Sequence, residues 1–243
     1  MRSIHTAMVL AAGLGSRLRP ITNVTPKPLV KVAGRSLLDR GLDQLVLAGV
    51  TKAVINVSHL GDQIIDHCAQ IKTPRMIISD ERSGLLDSAG GIVKALPDLG
   101  QEPFYILNAD TFWMDTRGEA LSKLAALFDQ TKMDIALLLV APENAIGHSG
   151  PGDFTVGASG KLARATGEAR IAAPIYAGAG IIHPRIFAGA LATPHSLNLY
   201  FDRAISEGRL YGSLMNCPWI TVGTPQGLAE AEAAVHHLNH FAF

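Results

Sequence analysis

The feature that most constrains this chain is the alternation, through its first half, of short apolar runs with segments of helical length. Ala7–Leu10, Ala53–Val57, Met76–Ile78, Phe104–Leu107 and Ile135–Val140 read as strands. Between the first two, Leu38, Leu42, Leu45 and Val46 recur at helical spacing ahead of Gly49, a residue suited to ending a helix. Further helices are predicted at Asp62–Ala69, from Gly90 and Gly91 towards Leu96, and at Glu119–Phe128, each followed by an apolar strand. This alternation predicts an α/β fold of Rossmann-like, doubly wound type, a mostly parallel sheet with helices on both faces. From Pro142 to Pro174 the periodicity weakens and Gly, Ser and Pro accumulate, which predicts hairpins or loops over the sheet edge. A strand at Tyr176–Ile182, a helix at Leu197–Glu207, a strand at Trp219–Val222 and a helix from Pro225 to about Leu238 follow. No repeat or linker divides the chain, so residues 1–243 are expected to form one domain.

Charge and cysteine content narrow the classes of function. Lysine plus arginine and aspartate plus glutamate number 21 each, so no global field draws the chain to nucleic acid or to an anionic membrane, and neither is expected as a partner. The apolar run Ala7 to Ala12 is too short to span a bilayer and leads into Gly13, Gly15 and Arg17 rather than a cleavage region. Cys68 and Cys217 have no zinc-site spacing and make no disulfide framework, which fits reduced thiols in a cytoplasm. His236 and His240 stand a helical turn apart beside His237, but with no carboxylate partner nearby they read as a solvated helix face rather than a metal site. No residue pattern assigns an oligomeric state.

Chemistry first shows in Leu10-Ala11-Ala12-Gly13-Leu14-Gly15-Ser16-Arg17-Leu18-Arg19-Pro20, a glycine-rich loop directly after the first strand. Glycines let backbone N–H groups approach phosphate oxygens, and guanidinium groups just beyond add charge-assisted hydrogen bonds. A triphosphate fits such a surface. Leu18 stands where the dinucleotide fingerprint needs its third glycine, and no G-x-x-x-x-G-K-[ST] loop occurs, so two common nucleotide motifs are absent. Alone, the loop could equally be a tight strand-to-helix turn. It is followed by Thr25-Pro26-Lys27-Pro28-Leu29-Val30, whose prolines stiffen the backbone on either side of one lysine and could fix an ammonium near phosphates.

Together these segments resemble the signature of the nucleotidyltransferase superfamily that activates sugars, L-A-A-G-x-G-x-R-x-x-P followed by P-K-P-L, with every position matched. The resemblance, which runs from Ala7 to about Ala233, implies a nucleotide-diphospho-sugar transferase fold. It further implies an enzyme that joins a nucleoside triphosphate to a sugar 1-phosphate with Mg2+ and releases pyrophosphate. It assigns Ala11, Ala12, Gly13, Gly15, Ser16, Arg17 and Lys27 to the nucleotide, and makes Arg17, Lys27 and Asp110 the catalytic set. Leu86-Asp87-Ser88-Ala89-Gly90-Gly91 resembles the segment that packs on base and ribose, which adds Asp87, Ser88 and Gly90. The same residues also read as an N-cap and glycine entry to a helix.

Asn108-Ala109-Asp110 follows the strand Phe104–Leu107, at the strand's C-terminal end, where open α/β sheets bind ligands. The resemblance makes Asp110 a magnesium ligand, in keeping with that ion's preference for hard oxygen donors. Asp153, in Gly152-Asp153-Phe154, and Tyr176 and Gly178, in Tyr176-Ala177-Gly178-Ala179-Gly180, fall where relatives place the sugar phosphate; the glycines also read as packing relief in a strand. One position departs. Trp219-Ile220-Thr221-Val222-Gly223-Thr224-Pro225 resembles W-x-D-V-G-T-P, in which the aspartate is the second metal ligand, and Thr221 stands there. A hydroxyl can still coordinate a cation or hold its water, but it brings no negative charge.

The L-L-D-S-A-G-G-I and H-S-G-P-G-D-F stretches and the compact length look most like bacterial N-acetylmuramate 1-phosphate uridylyltransferases of cell-wall (peptidoglycan) recycling. UTP and N-acetylmuramate 1-phosphate are therefore the expected substrates. Mannose 1-phosphate guanylyltransferases are the alternative within the family. A non-catalytic nucleotide-sugar sensor, weakened in metal binding by Thr221, is the alternative outside it.

Overall fold

The computed structural model describes residues 4–240, with side chains through Leu238. The chain begins with β1 (Thr6–Leu10), a small hairpin of β2 (Lys31–Val32) and β3 (Arg35–Ser36), α1 (Leu37–Leu47), β4 (Lys52–Val57), α2 (Gly61–Cys68) and β5 (Arg75–Asp80). It continues with α3 (Asp87–Leu99), β6 (Phe104–Asn108), β7 (Thr111–Trp113), α4 (Glu119–Leu127), β8 (Ile135–Val140) and β9 (Ala145–Ile146). The last part holds β10 (Phe154–Val156), β11 (Leu162–Arg164), β12 (Ile175–Ile182), α5 (Asn198–Ser206), β13 (Leu210–Met215), β14 (Trp219–Thr221) and α6 (Pro225–His240).

The seven-stranded central sheet has the order β13-β8-β12-β6-β1-β4-β5. All its pairings are parallel except those of β12, which runs antiparallel to both β6 and β8. Strand residues alternate between two apolar layers, as the period of two demands. Ala7 and Val9 of β1, Tyr105 and Leu107 of β6, and Ala136 and Leu138 of β8 pack with Leu42 of α1, Ile64 of α2 and Leu124 of α4. Their neighbours Met8, Ile106 and Leu137 face Ile92 of α3 and Phe201 of α5 on the other side. Helices thus cover both faces of a doubly wound sheet. Among the described residues no helix is long and apolar enough to cross a membrane.

The ends of α1 follow from local chemistry. Ser36 Oγ accepts from the Asp39 backbone N–H at 3.0 Å, an N-cap. At the other end Gly49 adopts φ +86°, and the Val50 N–H closes back on the Leu45 carbonyl.

Four features differ from the sequence reading. β13, the edge strand of the central sheet, has no counterpart among the expected strands, whereas the expected strand near Trp219 is present as β14 in a separate three-stranded sheet, β7-β14-β9. α3 starts at Asp87, ahead of the glycine pair, because Asp87 itself takes φ +58° and turns the chain into the helix. No side chain caps that helix, since Ser88 Oγ accepts from the Leu197 N–H instead. Finally, His236 does have a carboxylate neighbour, Glu232, one turn earlier on α6 with Nε2 to Oε2 at 4.0 Å; the side chain of His240 lies outside the described residues.

The order of the strands decides where a ligand fits. From β1 the chain winds outward through β4 and β5, then returns to place β6 on the other side of β1. Crossovers leave β1 and β6 in opposite directions, and the crevice past their carboxyl ends is open. Leu10 and Asn108 lie side by side there as the last paired residues of the two strands.

Candidate nucleotide site

The glycine-rich loop leaves β1 at this crevice. Gly15 takes φ +64°, and a β-carbon on it would lie 2.9 Å from Thr22 Cγ2 and 3.2 Å from Lys27 Cβ. The buried Thr22 braces the turn by donating from Oγ1 to the Gly15 carbonyl at 2.8 Å. Only glycine combines that backbone with that close approach. Gly13, by contrast, has open space where a side chain would stand. The stem of Lys27 packs directly under the turn, so the two motifs form one structural unit.

Pro26 is extended and Lys27–Leu29 form a single 3-10 turn, which aims the lysine inward. Lys27 is 9% exposed, and its Nζ donates to Asp110 Oδ2 at 2.7 Å. Asp110 sits just past β6, and its carboxylate keeps about a third of its surface accessible. Its Oδ1 makes no hydrogen bond among the described residues.

Two cavities meet at this ion pair. The first, about 250 Å3, is bordered by Ala11 and Ala12 on the β1 side and by Asp87 and Ser88 on the α3 side, with Lys27 and Asp110 at one end. The second, about 380 Å3, is bordered by Gly15, Ser16, Arg17 and Gly223, again with Lys27 and Asp110. Gly13 borders both. The Arg17 guanidinium lies within 4 Å of the space a β-carbon on Gly223 would fill, and the side chain is exposed. Two phosphate-bearing molecules can be brought to reacting distance between these concavities only if their negative charge is offset, and Lys27 is placed to offset it.

Not every predicted residue reaches these cavities. Gly90 faces the segment before α5, and a β-carbon there would lie 2.2 Å from the Thr193 carbonyl. Asp153, Tyr176 and Gly178 gather along β12, beside β6. Asp153 Oδ2 accepts from the Tyr176 N–H at 2.8 Å. Gly178, at φ +75°, abuts Thr111 Oγ1 and Asn108, where a side chain would collide. The Tyr176 hydroxyl is buried, without a hydrogen-bond partner among the described residues. Burial, then the charges of Asp110 and Asp153, push its ionisation well above the usual phenol range.

Thr221 pairs with Thr111 across β14 and β7, and the following Val222 N–H donates to the Asp110 carbonyl at 3.1 Å. The threonine is thus held beside Asp110 by backbone hydrogen bonds. Among the described residues no group of three or more His, Cys, Asp or Glu side chains is placed to hold a metal ion. A hard cation here would have the Asp110 carboxylate and the oxygens of bound phosphates, a donor set within magnesium's habit, while Thr221 borders neither cavity.

Two residues of the first cavity escaped the sequence reading. Asn56 lies in the middle of apolar β4, and Glu81 follows β5; both are buried and both border the cavity. A lone amide inside an apolar strand was the available signal for Asn56.

Comparison with known proteins agrees with this geometry. Residues 6–153 match the family described as Nucleotidyl transferase. The chain is 41% identical over 231 residues to an N-acetylmuramate alpha-1-phosphate uridylyltransferase of Caulobacter vibrioides, covering 93% of this chain and 95% of that one. It is 34% identical over 230 residues to a protein of the same description from Neisseria meningitidis serogroup B, covering 93% and 96%. In fold it resembles the crystal structure of UDP-glucose pyrophosphorylase complexed with UDP-glucose, at a TM-score of 0.78 over 97% of this chain and 99% of that one, with 15% identity. The family match takes in the glycine-rich loop, Lys27 and Asp110, and the two bacterial relatives extend the likeness over nearly the whole length, so the chain belongs to the nucleotidyl transferase family.

Proposed function

We propose that this protein transfers the uridylyl group of UTP to N-acetylmuramate 1-phosphate, forming UDP-N-acetylmuramate and pyrophosphate in cytoplasmic recycling of cell-wall sugar. The observation that carries the reaction is the Lys27–Asp110 pair set between two adjoining cavities at the crevice between β1 and β6. The choice of substrates follows the names of the two bacterial relatives.

An oxygen of the sugar phosphate attacks the α-phosphorus of UTP in line, and the bond from that phosphorus to the pyrophosphate oxygen breaks. The nucleophile is already anionic, so no side chain has to remove a proton. The barrier lies in bringing negative groups together and in the charge that builds on the leaving pyrophosphate. Arg17, exposed beside Gly223, meets the outer phosphates together with the glycine-rich backbone. Lys27, with its stem fixed under Gly15, offsets charge at the α-phosphate. Asp110 would hold a magnesium ion, which when bound neutralises phosphate charge, and Thr221, tied by its backbone to the neighbouring strand, could add no more than a hydroxyl. Asp87 and Ser88 border the space for base and ribose, while Asp153, Tyr176 and Gly178 serve the sugar phosphate.

The test is pyrophosphate release with magnesium across UTP, GTP, dTTP and CTP, each against N-acetylmuramate, mannose and glucose 1-phosphates. UTP with N-acetylmuramate 1-phosphate is expected to be the productive pair. Preference for GTP with mannose 1-phosphate would overturn the substrate choice, and triphosphate binding with no release from any pair would favour a sensor.

A further inference from the structure

We propose that Glu81 is a positioning residue that fixes both walls of the nucleotide cavity through one chain of hydrogen bonds whose direction only a carboxylate can support. The proposal rests on the reading of that cavity as the nucleotide site. Glu81 is fully buried just after β5. Its Oε1 accepts from Asn56 Nδ2 at 2.8 Å, and its Oε2 accepts from the Leu86 backbone N–H at 3.2 Å. Asn56 Oδ1 in turn accepts from the Ala11 backbone N–H at 2.7 Å. One side chain therefore reaches the first residue of the glycine-rich loop in one direction and the turn before α3 in the other.

The direction of each bond is forced. Both ends of the chain, Ala11 N–H and Leu86 N–H, can only donate. Asn56 must present its oxygen to Ala11, which leaves its nitrogen facing residue 81, and residue 81 must then accept twice. Glutamine at that position would leave two N–H groups facing each other at a fully buried position. The helix beyond makes room for the same chain. Gly91 lies inside α3, where glycine weakens a helix. A β-carbon on it would lie 2.5 Å from Glu81 Oε1 and 2.8 Å from Asn56 Nδ2. No cationic side chain pairs with Glu81 among the described residues, and the amino-terminal turns of α3, which pass beside it, supply partial positive charge.

Ala11 and the segment from Leu85 to Ser88 face each other across the first cavity, so loosening the chain lets both walls move while the sugar-phosphate residues on β12 stay in place. The experiment compares wild type, Glu81→Gln and the double variant Asn56→Asp/Glu81→Gln. Each is followed by UTP affinity, KM for each substrate, thermal unfolding and hydrogen exchange at the Ala11 amide. In the double variant the introduced glutamine donates to the introduced aspartate, whose other oxygen accepts from Ala11, and the glutamine oxygen accepts from Leu86, so each bond of the chain is restored.

Glu81→Gln is expected to weaken UTP binding by about tenfold or more, to leave KM for the sugar phosphate within about twofold, and to speed exchange at Ala11. The double variant is expected to recover most of the UTP affinity and the slow exchange. Unchanged UTP affinity in Glu81→Gln, or a double variant no better than the single, would overturn the proposal. If Glu81→Gln does not fold, the double variant decides alone: a folded, UTP-binding protein upholds the chain and an unfolded one overturns it. Wild type that binds UTP but transfers nothing would sink the assigned reaction, while UTP affinity and Ala11 exchange would still test the positioning role.

Discussion

Lys27 and Thr221 carry the sharpest consequences at the scale of single residues. Lys27 is held against Asp110 and reaches both cavities, so truncating it removes charge where the transferred phosphate must sit. Lys27→Ala is expected to lower kcat by about two to three orders of magnitude. Its cost in stability should be below about 1 kcal/mol, because Asp110 can be solvated once its partner is gone. Steady-state kinetics alongside thermal unfolding would check both, and an unchanged kcat would remove Lys27 from the mechanism. Thr221 supplies no charge beside Asp110. Thr221→Asp should therefore shift the magnesium concentration for half-maximal activity down by about tenfold, as a second carboxylate joins the first. A magnesium titration that does not move would show that the cation is held elsewhere.

The turn from Gly13 to Leu18 is the element on which the site depends. Gly15→Ala forces a side chain into a left-handed backbone and into Thr22. It should cost about 1–3 kcal/mol of stability and raise KM for UTP by displacing Lys27; a folded variant with wild-type kinetics would contradict that coupling. At this scale much was legible in the sequence. Apolar runs alternating with helical spacing reported β1, β4, β6 and β8, because each is buried on both faces. β13 was not legible: Gly212 and Ser213 interrupt its apolar residues, and as an edge strand it needs less burial. The motifs exposed Lys27 and Asp110, which the fold brings to 2.7 Å across 83 residues of sequence. Asn56 and Glu81 stayed hidden because each is one polar residue beside an apolar run. Their meaning comes only from the neighbouring strands β1, β4 and β5 and from the glycine that opens α3 to them.

The whole molecule is pinned at the end of the sheet opposite the site. Asp134, immediately before β8, is almost fully buried between Arg185, which follows β12, and Arg209, which precedes β13, with contacts of 2.5 and 3.0 Å. Burial alone would raise its carboxyl, but hydrogen bonds from Arg209 and Arg185 carry it below the usual range. A carboxyl with a lower pKa folded than unfolded adds stability above the ordinary value of about 4, and that stability is lost as pH falls through the folded value. Asp134→Asn should thus cost about 2–4 kcal/mol at neutral pH, somewhat less than a fully enclosed pair because both guanidinium groups reach solvent. The gap to wild type should close below pH 4. Denaturant unfolding at neutral pH and in acid would show it, and equal stability of the two proteins at neutral pH would contradict it. With the sheet fixed at that end, the crevice at the other presents Arg17, Lys27 and Asp110 to two phosphates at once. The most direct test of this account is 31P NMR of wild type with UTP, N-acetylmuramate 1-phosphate and magnesium. The account predicts loss of both substrate signals and growth of a sugar–nucleotide diphosphate pair together with pyrophosphate, slowed with Lys27→Ala by about two to three orders of magnitude. Substrates that persist with wild type, or a Lys27→Ala protein that turns them over equally well, would contradict it.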